Sequence, residues 1–301
     1  MEPFGSGEAP AKKGFDYRFI RRYVGPVRAV IFDWAGTVVD CGVFGPTEGF
    51  KELFEEEGVP ISDHEAREPM GVHKKVHIEK ILSMNGVKER WRAKKGTVPT
   101  FQDVDRIYEK FIPKNVESIA RQSHVIHGVP QLLGRLRSEF GVKIGSCTGY
   151  THPIMNNLKV KQGPIPPIMV KAEAEGFKPD AIVMSDEVPE GRPKPYMIYL
   201  NALRLQVQPM EAIIKVDDTT EGIKEGLAAG CWTVGIAKTG NYVAASEEDL
   251  EKIDSRELNQ RLERAYGILY GAGAHFVIDS VLDLPRVIRD INERLSHGDR
   301  P

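Results

Sequence analysis

Short, almost wholly apolar runs alternate with helical patterns along most of this 301-residue chain, and that alternation limits the fold more than any other feature. The runs lie at 27–34, 142–148, 181–185, 212–218, 231–237 and 274–278. Strands that are apolar throughout are buried on both faces, as in a parallel sheet of βαβ units, so the chain reads as a Rossmann-like, doubly wound α/β protein. The strand signal stops between 47 and 122, where only helices are predicted. These cover 47–58, 73–84 and 101–112; Pro113 is expected to break or kink the third, and the polar, basic stretch 88–99 reads as a loop. The expected layout is an N-terminal extension (1–26), an α/β core (27–46 and 124–301), and a helical cap inserted at 47–123.

Charge and cysteine usage exclude several classes of partner. Lys and Arg total 41 against 43 Asp and Glu, without large blocks, so neither nucleic acid nor a membrane surface is an expected partner. Three widely spaced cysteines suit neither a disulfide framework nor a zinc site and fit a reducing, cytoplasmic setting. No run approaches a membrane span, and Glu2, Glu8 and Asp16 argue against a transit peptide.

The segment Val30-Ile31-Phe32-Asp33-Trp34-Ala35-Gly36-Thr37 carries the first chemical signal. A strand running into Asp33 sets a carboxylate at its C-terminal end, where open α/β sheets bind ligands. Gly36 and Thr37 supply a turn whose backbone N–H groups are expected to be free for phosphate oxygens. Alone, such an Asp is more often a turn or cap residue. Its company changes the reading: Thr148, then Arg192 and Lys194 in a proline-flanked turn, then Asp217-Asp218-Thr219. Strand ends of one parallel sheet converge, so these groups can meet.

In this order the four elements resemble the haloacid dehalogenase-like superfamily of phosphotransferases. The resemblance implies Asp33 as nucleophile, Mg²⁺ held by Asp33, the Ala35 carbonyl and Asp218, and phosphoryl oxygens bound by Thr148 and Arg192, with Thr37 beside them. Lys194 is the alternative for the basic role, and Asp217 is either a ligand or a neighbour of one. A hard divalent cation offsets the repulsion between a carboxylate nucleophile and an anionic phosphoryl group. Most phosphomonoesterases of the superfamily carry a second Asp two residues after the nucleophile, which protonates the leaving alkoxide; here that residue is Ala35. A further departure is Gly222, where an acidic residue is common, with Glu221 one place earlier.

If 70–81 is helical, Met70, Lys74, His77 and Ile81 share one narrow face. Pro69-Met70-Gly71 with Lys74 and His77, together with the Asp33, Thr148-Gly149-Tyr150, Arg192 and Asp218 segments, resembles the phosphonoacetaldehyde hydrolase (phosphonatase) family over roughly 27–296. The resemblance implies a Schiff base between Lys74 and the aldehyde of phosphonoacetaldehyde, a pocket including Met70, Gly71 and Tyr150, and a homodimer through the cap. A protonated imine accepts the electron pair of a breaking C–P bond, which removes the need for an acid at position 35. For this, Lys74 must be partly neutral near pH 7 against an ordinary pKa of about 10.4. Desolvation beside Met70 and repulsion from Lys75 or His73 are expected to lower it, and His77 is the expected proton shuttle. The alternative is a phosphatase or phosphomutase acting on a P–O bond, which Ala35 and Lys74 argue against. A silent phosphate-binding member is opposed by the joint presence of Asp33, Thr148, Arg192 and Asp218.

Overall fold

The computed structural model describes residues 23–156 and 167–301; most of the expected N-terminal extension lies outside them. The strands β1 (Ala29–Phe32), β2 (Lys143–Thr148), β3 (Ala181–Met184), β4 (Ile213–Asp217), β5 (Trp232–Ile236) and β6 (Phe276–Ile278) form one parallel sheet in the order β3-β2-β1-β4-β5-β6. This is the doubly wound sheet expected from the sequence, each strand falling inside its predicted run. Successive residues of β1 point to opposite faces. Val30 and Phe32 join a core with Leu132, Leu136, Ile288 and Ile291, while Ala29 and Ile31 pack with Met197, Ile198 and Ala202. Both faces are covered, which is why the strands carry no polar alternation. The order reverses at β1, between β2 and β4, and opens a crevice at their C-terminal ends.

Among the described residues, six helices lie between β1 and β2, and the first five are α1 (Phe44–Glu56), α2 (Asp63–Arg67), α3 (Lys74–Ser83), α4 (Asn85–Lys95) and α5 (Phe101–Gln122). The stretch 88–99, expected to be a loop, is largely α4. Val87 and Trp91, one turn apart, are buried, and the basic residues between and after them lie outside or pair, Arg90 with Glu65 at 2.7 Å and Lys95 with Glu57 at 3.1 Å. A two-residue apolar stripe is too narrow to show as periodicity in so basic a sequence.

Nor does Pro113 end α5, which runs on to Gln122. Proline removes one helical N–H, but Phe111, Val116, Ile119 and Ala120 around it are buried, and their burial outweighs the lost bond. On the core side, α6 (Val129–Phe140), α7 (His152–Met155), α8 (Ile168–Ala174), α9 (Tyr196–Leu205), α10 (Thr220–Ala229), α11 (Glu247–Lys252), α12 (Ser255–Gly271) and α13 (Leu284–Ser296) complete the layers.

Candidate active site

The crevice gathers side chains from four strand ends and from the entry to α3. A small cavity is lined by Asp33 and Ala35 after β1, Met70, Gly71 and Lys74 at α3, Thr148 and Tyr150 after β2, Arg192, and Thr219 after β4. Its volume is only ≈ 20 Å³, room for about one water. Gly149 makes this approach feasible, because a Cβ there would stand 2.7 Å from the Val72 carbonyl oxygen.

Arg192 is the hub of the polar groups. Its Nη2 donates to Asp33 Oδ1 at 2.6 Å and to the Cys147 carbonyl at 3.1 Å, Nη1 to the Gly71 carbonyl at 3.1 Å, and Nε to Glu225 Oε2 at 2.8 Å. Lys194, the other candidate for the basic role, is exposed on the turn. Burial pushes the Asp33 carboxyl up to about 6 against the pull of Arg192. The Thr148 hydroxyl oxygen accepts from the Tyr150 N–H at 3.1 Å, leaving its own proton to donate.

The turn after Asp33 differs from expectation. The Gly36 N–H donates to the Val39 carbonyl at 2.8 Å and the Thr37 N–H to the Trp34 carbonyl at 3.2 Å, so neither is free for phosphate. The Thr37 hydroxyl instead donates to Asp218 Oδ1 at 3.2 Å. Gly36 has a positive φ of 81°, and a Cβ there would meet Asp218 Oδ2 at 2.3 Å.

Carboxylate oxygens of Asp33, Asp217 and Asp218 lie within 4.8 Å of one another, all buried. Asp217 is already neutralised: Lys215 Nζ is 2.9 Å and Arg192 Nη2 3.4 Å away, and Thr219 donates to it through N–H and hydroxyl. Despite its burial, those two cations hold its carboxyl below the usual range. Asp218 has no cationic side chain at ion-pair distance among the described residues; it accepts from the Thr37 hydroxyl and, at 2.8 Å, from the Asn241 N–H. Burial, then Asp33 and Asp217, push its carboxyl well up. Four buried carboxylates, with Glu225, thus share two buried cations, Arg192 and Lys215. A further positive charge on the Asp33–Asp218 side relieves that imbalance, and an all-oxygen donor set suits a hard divalent ion.

Gly222 has a physical reason: a Cβ there would lie 1.9 Å from the Asp217 carboxyl carbon. Glu221 is outside the carboxylate cluster and pairs with Lys224 at 3.2 Å and with Lys80 of α3 at 3.6 Å.

Lys74 is 3% exposed. Its Nζ meets Met70 Sδ at 3.7 Å and sits 5.0 Å and 5.5 Å from the ring centroids of Tyr150 and Phe50, without a carboxylate partner among the described residues. Burial lowers its pKa to about 7, and Arg192 adds to the effect. Lys75, expected to contribute, points away and pairs with Asp105 at 2.5 Å, so the repelling cation comes from the sheet side rather than from the helix.

His77 is fully buried but does not line the cavity. Its ring stacks on Phe50 at 4.0 Å, Nε2 is 2.9 Å from the Ala66 carbonyl, and Nδ1 has no partner. Burial and the Lys74 charge keep it neutral. The expected proton shuttle is therefore a buried neutral imidazole. Lys215 and Glu225 were not foreseen, although a lysine inside the apolar run Ile213-Ile214-Lys215-Val216 is a signal that a buried carboxylate must face it.

A sequence model of haloacid dehalogenase-like hydrolases matches residues 27–230. The chain is 44% identical over 281 residues to a phosphonoacetaldehyde hydrolase of Nitratidesulfovibrio vulgaris, covering 93% of this chain and 96% of that protein. It is 45% identical over 275 residues to one of Paraburkholderia phytofirmans, covering 91% and 99%. A crystal structure of a phosphonoacetaldehyde hydrolase-like protein from Oleispira antarctica superposes with a TM-score of 0.89 at 38% identity, over 95% of this chain and all of the other.

Proposed function

The chain belongs to the haloacid dehalogenase-like hydrolases and, within them, to the phosphonoacetaldehyde hydrolase family, and from that membership we propose that it hydrolyses the C–P bond of phosphonoacetaldehyde to acetaldehyde and phosphate. The observation that carries this reading is a buried Lys74, with no carboxylate partner among the described residues and a pKa near 7, in the same small cavity as Asp33, where Ala35 stands in place of an acid.

In the proposed reaction the neutral Lys74 amine adds to the aldehyde, and uptake of one proton from solvent with loss of water leaves a protonated imine; the final imine hydrolysis returns that proton. An Asp33 oxygen then attacks phosphorus; the C–P electron pair moves into the imine, giving an enamine and an aspartyl phosphate. Water hydrolyses the acyl phosphate. The enamine carbon takes a proton, and hydrolysis of the imine frees acetaldehyde and Lys74.

Arg192 spans the nucleophile and the phosphoryl site with a fixed fork, and the Thr148 hydroxyl supplies a second donor. Mg²⁺ suits Asp33, Asp218 and the Ala35 carbonyl, and when bound it would offset the charge of nucleophile and phosphoryl oxygens. His77 enters as a neutral buried base one turn from Lys74, its free Nδ1 able to accept a proton. Met70 and Tyr150 keep water from the amine, and Gly71 lets α3 approach: a Cβ there would meet Thr219 Oγ1 at 2.5 Å.

A cavity of ≈ 20 Å³ is too small for a phosphonate aldehyde, so the inserted helices must open to admit substrate and close over it. X-ray scattering that shows no change of dimension with Mg²⁺ and a phosphate analogue would exclude this motion. A homodimer through the inserted helices is also proposed; exposed Phe101 and Val98 lie on that unit, and light scattering of the full chain gives the state.

The deciding experiment is borohydride reduction in the presence of phosphonoacetaldehyde. Mass spectrometry is expected to find the adduct on Lys74, absent in Lys74→Arg. An enzyme that turns over phosphate esters and gives no adduct points instead to P–O chemistry.

A further inference from the structure

One residue after β5 touches both the carboxylate cluster and the inserted helices. Asn241 is 2% exposed. Its backbone N–H donates to Asp218 Oδ2 at 2.8 Å, and its Nδ2 donates to the Arg67 carbonyl of α2 at 3.1 Å. Arg67 Nη1 returns to the Asn241 carbonyl and Oδ1, each at 3.4 Å, and donates to the Gly42 carbonyl at 2.7 Å, on the stretch that leads from β1 into α1. Three segments distant in sequence therefore meet at two side chains.

The loop that carries Asn241 has little slack. A Cβ on Gly240 would stand 2.6 Å from the Ile236 carbonyl and 2.7 Å from Asp218 Cβ. The Thr239 carbonyl accepts from the Gly42 N–H at 2.7 Å, and its hydroxyl donates to the Gly36 carbonyl at 2.8 Å. A backbone donor seated so closely leaves Asp218 only if the loop itself shifts.

We propose that Asn241 is a positioning residue that couples docking of the inserted helices to the orientation of Asp218. The Thr37 hydroxyl, a core group, holds one Asp218 oxygen, while the other depends on a loop tied to α2. When the helices swing out, Arg67 leaves Asn241, the loop loses its side-chain hydrogen bonds to α2, and Oδ2 loses a fixed donor. Coupling is reciprocal, so a cation seated on Asp218 favours the docked helices, and docking tightens the cation. The identity of the cation as Mg²⁺ rests on the proposed function; the coupling does not rest on the reaction.

The test is calorimetric titration of Mg²⁺ into the full chain, with and without inorganic phosphate, for the wild type, Asn241→Ala and Arg67→Met. Asn241→Ala keeps the backbone donor to Asp218 and removes only the link to α2. Its affinity for Mg²⁺ is expected to fall about three- to tenfold, the net worth of one hydrogen bond or a little more. Arg67→Met is expected to move the same way, and the double variant to fall short of the product of the two, because both cut one connection. Raising Mg²⁺ should restore kcat/KM in both.

Unchanged Mg²⁺ affinity in Asn241→Ala overturns the proposal, as does a loss of activity that Mg²⁺ does not restore. Weakening in Asn241→Ala alone, with Arg67→Met like the wild type, also overturns it, since the helices then play no part. If Asn241→Ala fails to fold, Arg67→Met alone decides. A wild type that binds Mg²⁺ yet gives no Lys74 adduct sinks the reaction and leaves the coupling standing.

Discussion

Lys74→Met should make the protein inactive and more stable. In the unfolded chain a lysine titrates near 10.5, and in the fold burial brings Lys74 to about 7. Between those values the unfolded state binds the proton and the folded state does not. The cost to the fold is therefore absent above pH 10.5, grows by about 1.4 kcal/mol for each unit below it, and levels off below pH 7. At pH 7 it amounts to about 4 kcal/mol.

Methionine fills a similar volume without a charge, so the variant should gain about 4 kcal/mol at pH 7 and nothing near pH 10.5. Urea unfolding of both proteins, in parallel from pH 7 to pH 10, measures the difference and cancels other titrations. A variant no more stable than the wild type at pH 7, or a gain that does not shrink as the pH rises, would refute the claim that the site holds this amine uncharged. The nucleophile argument would fall with it.

Asp33→Asn should abolish phosphate release, by at least about a thousandfold, yet still give the borohydride adduct at Lys74, because the imine forms before phosphorus is attacked. Loss of the adduct in that variant would mean that the two steps are not separable. Gly222→Ala forces a methyl against the Asp217 carboxyl and should cost about 3 kcal/mol in thermal unfolding, together with much of the Mg²⁺ affinity. Glu57 is held by Lys95, Arg106 and Lys110, which overcome its burial and lower its carboxyl to about 2. Its contribution is fully present above about pH 4.5 and fades as pH falls toward 2, so Glu57→Gln should lower the unfolding free energy at pH 7 by about 2 kcal/mol with these half-exposed partners, as read by urea unfolding, and hardly at pH 2.

Much of the fold was legible because its determinants are local. Strands buried on both faces are mostly apolar along their length, and the six runs carry that mark, apart from Lys215, Ser146 and the polar or charged residues at strand ends. The helical segments fared less evenly. Pro113 sits inside α5 and the basic stretch after Lys88 inside α4, because burial of Phe111, Val116 and Trp91 by partners far along the chain overrides local preference. At the site, the types and order of Asp33, Thr148, Arg192 and Asp218 were readable from strand ends; the helix expected over 70–81 begins only at Lys74, after a turn through Met70 and Gly71.

The sequence by itself determined a doubly wound sheet interrupted by helices, and a set of phosphoryl-type groups at converging strand ends. Only the tertiary structure decided how charge is divided among them. Two adjacent aspartates are alike in sequence, yet Asp217 pairs with Lys215 and Arg192 while Asp218 pairs with neither. Lys74 and His77 share a helix face, yet one lines the cavity and the other lies buried behind Phe50. Protonation, metal affinity and access depend on which charges and surfaces stand within a few ångströms, and those neighbours come from segments that only folding brings together.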